Sequence, residues 1–116
     1  MNDVLLLSRG AWQDEPGPDC DAVFARIGAW WGERVASGTI VGGQRLAPPE
    51  TATTVVVEEG GATVVDGPFI ESKDAIGGFA VVEARDLDDA ISIARSFPVP
   101  DGRVEVRPTV PPRQVA

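Results

Sequence analysis

The spacing of apolar positions along this 116-residue chain changes several times, and each change marks an element boundary. Val4 to Ser8 is a short continuous apolar run, as expected of a strand buried on both faces. Arg9-Gly10 ends it, and Ala11 to Pro18 reads as a loop broken by Pro16, Gly17 and Pro18. Asp19 is the expected N-cap of the next element, with Asp21 favourably placed in the first turn. From there Val23, Phe24, Ile27, Trp30, Trp31 and Val35 recur mostly at three and four. That is one face of a helix running to about Ser37, and Gly38 suits the residue just past its end. Gly28 and Gly32 each weaken this helix by roughly 0.8–1 kcal/mol relative to alanine. Four residues apart, they bare one stripe to the close approach of another backbone.

Thr39 to Leu46 reads as a strand carrying Gly42-Gly43, the mark of a bulge or a close approach; Pro48-Pro49 closes it. Thr53 to Glu58 and Ala62 to Val65 predict a hairpin across Glu59-Gly60-Gly61. Asp66 to Gly77 is a long turn and Phe79 to Ala84 a further strand. Asp86 caps a second helix, with Asp89 at its third position in a weak capping box. Leu87, Ala90, Ile91 and Ala94 form its expected buried face, with Asp88, Asp89, Ser92 and Arg95 outward, and Pro98 stops it. Arg103 to Arg107 alternates as a half-buried strand does. The order predicts an α+β fold, a ferredoxin-like βαββαβ plan with one inserted hairpin, over residues 1–108. Residues 109–116 form a proline-rich tail. Two helices cover only one face of such a sheet, so a second copy of the chain is expected on the other: a homodimer.

Composition narrows the chemistry. A net charge of −8, with the ten basic residues scattered, argues against a nucleic-acid partner. The longest apolar runs fall far short of the ~20 residues that cross a bilayer, and the start has no positive n-region. These features predict a cytoplasmic protein with no membrane partner. The single Cys20 excludes an intrachain disulfide. Histidine and tyrosine are absent, which removes Ser-His-Asp and Cys-His catalysis and the commonest transition-metal ligand. No metal site and no cofactor are expected, and any general base must be a carboxylate, a lysine, Cys20, a terminus or water.

Several stretches carry a family resemblance. Asp66-Gly67-Pro68-Phe69, then Glu71-Ser72-Lys73 and Gly77-Gly78-Phe79, resemble the DGPF branch of the YCII-related proteins. Leu5 to Leu7 with Arg9-Gly10, Gly38 to Leu46, and Val104 to Pro108 match that branch in the same order. The resemblance implies a dimeric α+β barrel built from two ferredoxin-like halves. Some relatives carry a His/Asp pair in a cleft that has been read as an active site. Asp66 matches the aspartate, whereas the histidine position falls among Ile27 to Trp31, where this chain has none. The frequent proximity of family members to alternative sigma factors implies a regulatory setting as another reading.

The candidate site is a cleft lined by Arg9, a tryptophan of the first helix (Trp30 or Trp31), Asp66 and Phe69. Asp66 could act as a base or hold a ligand, and Asp-Gly-Pro is equally a turn fixed by its own chemistry. Arg9 could clamp an anion or pair with Asp66 or Glu71. Trp30 and Trp31 lie about 100° apart on the helix, so one fills the core while the other edges a pocket or a dimer seam. Trp12 is expected to lid a cleft. Binding of a small molecule, anions among the candidates, in a cleft near the Asp66–Phe69 turn of a cofactor-free homodimer is the leading expectation. An enzyme using Asp66 and a regulatory interaction module are the alternatives.

Overall fold

In the computed structural model, residues 2–68 and 75–111 are described. They form β1 (Asn2–Ser8), α1 (Pro18–Ala36), β2 (Ile40–Arg45), β3 (Thr53–Glu58), β4 (Gly61–Asp66), β5 (Ile76–Glu83), α2 (Leu87–Arg95) and β6 (Val104–Pro108). Single 3-10 turns occupy Ala11–Gln13 and Pro49–Thr51. The fold is α+β with antiparallel pairing throughout. One sheet has the order β2-β5-β1-β6, and β3 and β4 form a separate two-stranded ribbon. Phe69, Glu71, Ser72 and Lys73 of the family stretch, and residues 112–116 of the tail, lie outside the described residues.

The alternation of β1 sets the core. Asp3, Leu5 and Leu7 are buried on the helix side, while Val4 and Leu6 are half-buried on the other. Leu5 lies opposite Ala80 of β5 and Val106 of β6, and Val82 lies opposite Ile40 of β2. Leu5, Leu7, Ile40, Ala80 and Val82 form one cluster with Trp30 of α1, against which Ile93, Ala94 and Phe97 pack. Burying such side chains contributes roughly 1.5–3 kcal/mol each. On the reverse face, Val4 pairs with Val81 and Leu6 with Phe79, and no helix among the described residues covers them.

The helix ends differ in part from expectation. The N-cap of α1 is Gly17, and Pro18 takes the first turn, where its missing N–H and fixed φ cost nothing; Asp19 is therefore inside the helix. Gly38, at φ 79°, follows the C-cap Ser37 as expected. In α2, Asp86 Oδ1 accepts from the Asp89 N–H at 2.8 Å. The Asp89 carboxylate reaches back one residue further than a capping box would, accepting from the Arg85 N–H at 3.0 Å and from its guanidinium at 3.4 Å. These bonds, the backbone one first, hold the Asp89 carboxyl below its ordinary value of 3.8. The buried face of α2 is rotated from the expected one. Ala90, Ile93 and Ala94 point inward with Phe97, at helical spacing, and Leu87 is 53% exposed.

Candidate functional site

A cavity of about 620 Å³ opens between α1 and the end of the sheet where β1 leaves and β5 enters. Its α1 wall is Phe24, Ile27, Gly28, Trp31 and Gly32; its floor is Leu7, Ser8, Gly43, Gln44, Gly77 and Gly78. Trp12 and Gln13, from the turn after β1, and Arg45, from the end of β2, complete the rim together with Phe97. The volume falls within the range of small-molecule sites.

Glycines shape this space in two opposite ways. At Gly43, with φ 141°, the Trp31 ring lies so close that an added Cβ would stand 2.6 Å from Trp31 Cη2. Gly77 likewise presses on Arg9 and Gly78 on Gln44, at 3.1 and 3.0 Å from an added Cβ. These three are close approaches, the reading given above to Gly42-Gly43, whereas at Gly42 an added Cβ meets only Val81, at 3.9 Å. Gly28 and Gly32 are the reverse. An added Cβ on either meets nothing within 4 Å among the described residues. The stripe they bare faces the cavity, so the expected close approach of a backbone to them is corrected. Two helix-interior glycines thus forgo roughly 1.6–2 kcal/mol of helix propensity in return for empty space.

The two adjacent tryptophans divide as helix geometry requires. Trp30 is 5% exposed, its Nε1 donates to Ser96 Oγ at 2.8 Å, and its ring meets Phe97 edge-on at 5.2 Å. Trp31 lines the cavity. Trp12 packs edge-to-face on Phe24 at 4.9 Å and stands between this cavity and a second one on the N-terminal side of α1. Trp12 Nε1 is buried without a hydrogen-bond partner among the described residues. Arg45 lies over the same Phe24 ring, with Cζ 4.0 Å from its centroid, a cation–π contact that holds the guanidinium at the rim.

The other expected site residues stand apart from this group. Arg9 is tied to its own turn: Nη1 donates to Gln13 Oε1 at 3.0 Å, and Nη2 lies 3.6 Å from Asp14 Oδ1. Asp66 ends β4 on the exposed ribbon, opposite Thr53, and does not line the cavity. The turn after it is held by main-chain geometry. Gly67 has φ 102°, its N–H donates to Ala52 O at 2.8 Å, and its carbonyl accepts from Thr54 Oγ1 at 2.6 Å. Phe69 lies outside the described residues. Arg45, Phe24, Gln13 and Gln44 line this cavity and were not among the residues expected to do so. The signal that could have found them is Gly28 and Gly32 lying on the same helical stripe as Phe24, Ile27 and Trp31.

The chemistry available in the cavity is recognition more than proton transfer. Its described lining holds one cation, two carboxamides and one hydroxyl, set among aromatic and aliphatic walls, and contains no carboxylate, lysine or cysteine. The Ser8 hydroxyl already accepts the Arg103 N–H at 2.7 Å. Among the described residues no three acidic or thiol side chains gather as metal ligands, and no helix is long and apolar enough to cross a membrane.

Fold and cavity together define a small α+β protein with an aromatic-lined hollow under its long helix. The model of the YCII-related domain matches residues 6–112, so the chain belongs to that family. It is also similar to an uncharacterised protein of Rhizobium meliloti (strain 1021), at 32% identity over 110 residues, spanning 92% of this chain and 85% of that one.

Proposed function

We propose that this protein is a cytoplasmic, cofactor-free homodimer that binds a small molecule in the hollow under α1. The ligand has a flat apolar body and an anionic or hydrogen-bond-accepting end. The observation that carries this reading is the pair Gly28 and Gly32, with open space where their side chains would be. No packing contact among the described residues explains them, whereas a ligand sliding along the helix backbone would. Trp12, Phe24 and Trp31 offer faces for a planar body, and Arg45 with Gln13 and Gln44 offers donors for its polar end. The site keeps Trp31 from the sequence expectation and replaces Arg9 and Asp66 with Arg45 and the carboxamides.

The strand order β2-β5-β1-β6 supports a ferredoxin-like plan with β3–β4 as its insertion. The uncovered Val4, Leu6, Phe79 and Val81 support a second chain against that face, as in a dimeric α+β barrel. The Asp-Gly-Pro-Phe stretch supports membership of the DGPF branch. The acid–base reading of Asp66 has less support, because that residue sits exposed on the ribbon.

Thermal-shift titration tests the proposal. Benzoate, naphthoate and indole-3-acetate are compared with their uncharged analogues and with aliphatic acids. A ligand at 100 times its Kd stabilises by about 2.7 kcal/mol. The flat aromatic acids are expected to raise Tm most. Equal and negligible shifts across all three groups would contradict the proposal.

A further inference from the structure

We propose that the β3–β4 ribbon is an arm that lays its valine face on a second copy of this chain. The inference rests on the homodimer reading above and specifies how that dimer is held. Register puts Val55 opposite Val64 and Val57 opposite Ala62, so these four share one face of the ribbon. The three valines are 54%, 66% and 79% exposed for Val55, Val64 and Val57. The other face alternates valine with threonine: Thr54 opposite Val65, and Val56 opposite Thr63.

A lone two-stranded ribbon is marginal in water, and both of its strands are edges. Proteins that leave edges in solvent blunt them with lysine, proline or bulges. Neither β3 nor β4 contains lysine or proline, their pairing runs without a register shift, and their acidic residues stand only at the ends, at Glu58 and Asp66. The sequence here is that of a strand pair meant to be covered.

The surface area fits a large partner. The chain exposes 8317 Å², whereas a compact monomer of 12.2 kDa exposes about 6,100 Å². A surface larger than that of a compact monomer leaves room for an interface of the size an obligate homodimer buries. The radius of gyration is 16.5 Å, against about 13 Å for a compact domain of this length. A second copy is the occupant that answers both uncovered surfaces together. In a two-fold pair, each chain offers one ribbon and one open sheet face, so the same partner covers both. A six-residue strand is about 20 Å long, enough to cross a four-stranded sheet about 15 Å wide. The valine face carries no charge, so two chains of net charge −8 meet there without bringing like charges together.

The test is sedimentation of the full chain over a dilution series, comparing wild type with the double variant Val57→Glu, Val64→Glu and with Thr63→Glu on the opposite face. The double variant is expected to weaken dimerisation at least ~100-fold, because each dimer would then desolvate four carboxylates. Thr63→Glu is expected to weaken it far less. Wild-type dimerisation in the double variant would overturn the arm and leave the homodimer standing; a single-chain mass for wild type would overturn both. Amide exchange on wild type covers the case of a variant that fails to fold. The amides of Val55–Val57 and Ala62–Val65 are expected to exchange more slowly above the dimer dissociation constant than below it. Exchange at one rate at all concentrations contradicts the arm.

Discussion

Two sides of α1, one residue apart in sequence, are built on opposite principles. On the Trp30 side the polar groups around the ring are paired: the indole donates to Ser96, and Arg34 stacks on the ring at 4.7 Å while donating to Trp30 O and Ser96 Oγ. On the Trp31 side, Gly28 and Gly32 leave the helix backbone bare beside a hollow. The same helix gains stability on one side and gives it up on the other. A rotation of ~100° separates scaffold from site.

Loss of the packed side should cost the most. Trp30→Ala removes a buried ring and leaves Ser96 without its indole donor, so a loss of about 3–5 kcal/mol is expected. Chemical denaturation measures it, and a loss below about 1 kcal/mol would place Trp30 outside the core. Trp31→Ala, by contrast, is expected to cost less stability, because one side of that ring faces the hollow. Its main effect should fall on ligand affinity, at least tenfold by calorimetric titration with naphthoate. If the two tryptophans respond alike in both assays, the division of α1 fails.

A smaller effect has the opposite sign. Gly28→Ala adds a Cβ that meets nothing within 4 Å among the described residues, so it should stabilise the free protein by about 0.8–1 kcal/mol. That is a rise in Tm of about 4 °C for a domain of this size. A fall in Tm would mean that the space beside Gly28 is already filled.

The smallest effect calibrates the others, on a helix with no part in the hollow. Asp89 is held below its ordinary value of 3.8 by the Arg85 N–H, so its contribution to stability is fully present above that value. It is lost as pH falls through the lower folded-state value. Asp89→Asn should flatten this part of the pH–stability curve below about pH 4 and shift neither ligand affinity nor dimer mass. An unchanged acid limb in the variant would remove the bond from the account.

Sequence reading reached the local features because they depend on residues near one another. The β1 run, the Gly38 end of α1, the Asp86 cap and the β3–β4 hairpin all follow from spacing and turn chemistry. The misses have a different origin. Helical periodicity identified the Gly28–Gly32 stripe and could not say what lies opposite it, so a hollow was read as a close contact. Leu87 looked apolar enough to be buried, yet the sheet meets α2 along Ala90, Ile93 and Ala94. Arg45 drew no reading of its own, since its position over Phe24 joins residues 21 apart in the chain. Arg9 was expected near Asp66, but a four-residue reach to Gln13 captures it first. The continuous valine run of β3 resembles a strand buried on two faces, and it signals a need for cover without naming what supplies it.

Whether a ligand lies in the space beside Gly28 and Gly32 is decided by Gly28→Leu. Heat unfolding is followed with and without naphthoate. The leucine side chain has room in the hollow, so the free variant should unfold at or above the wild-type temperature, and the naphthoate-induced rise seen in wild type should vanish. A variant that unfolds normally and keeps the full rise would contradict the claim.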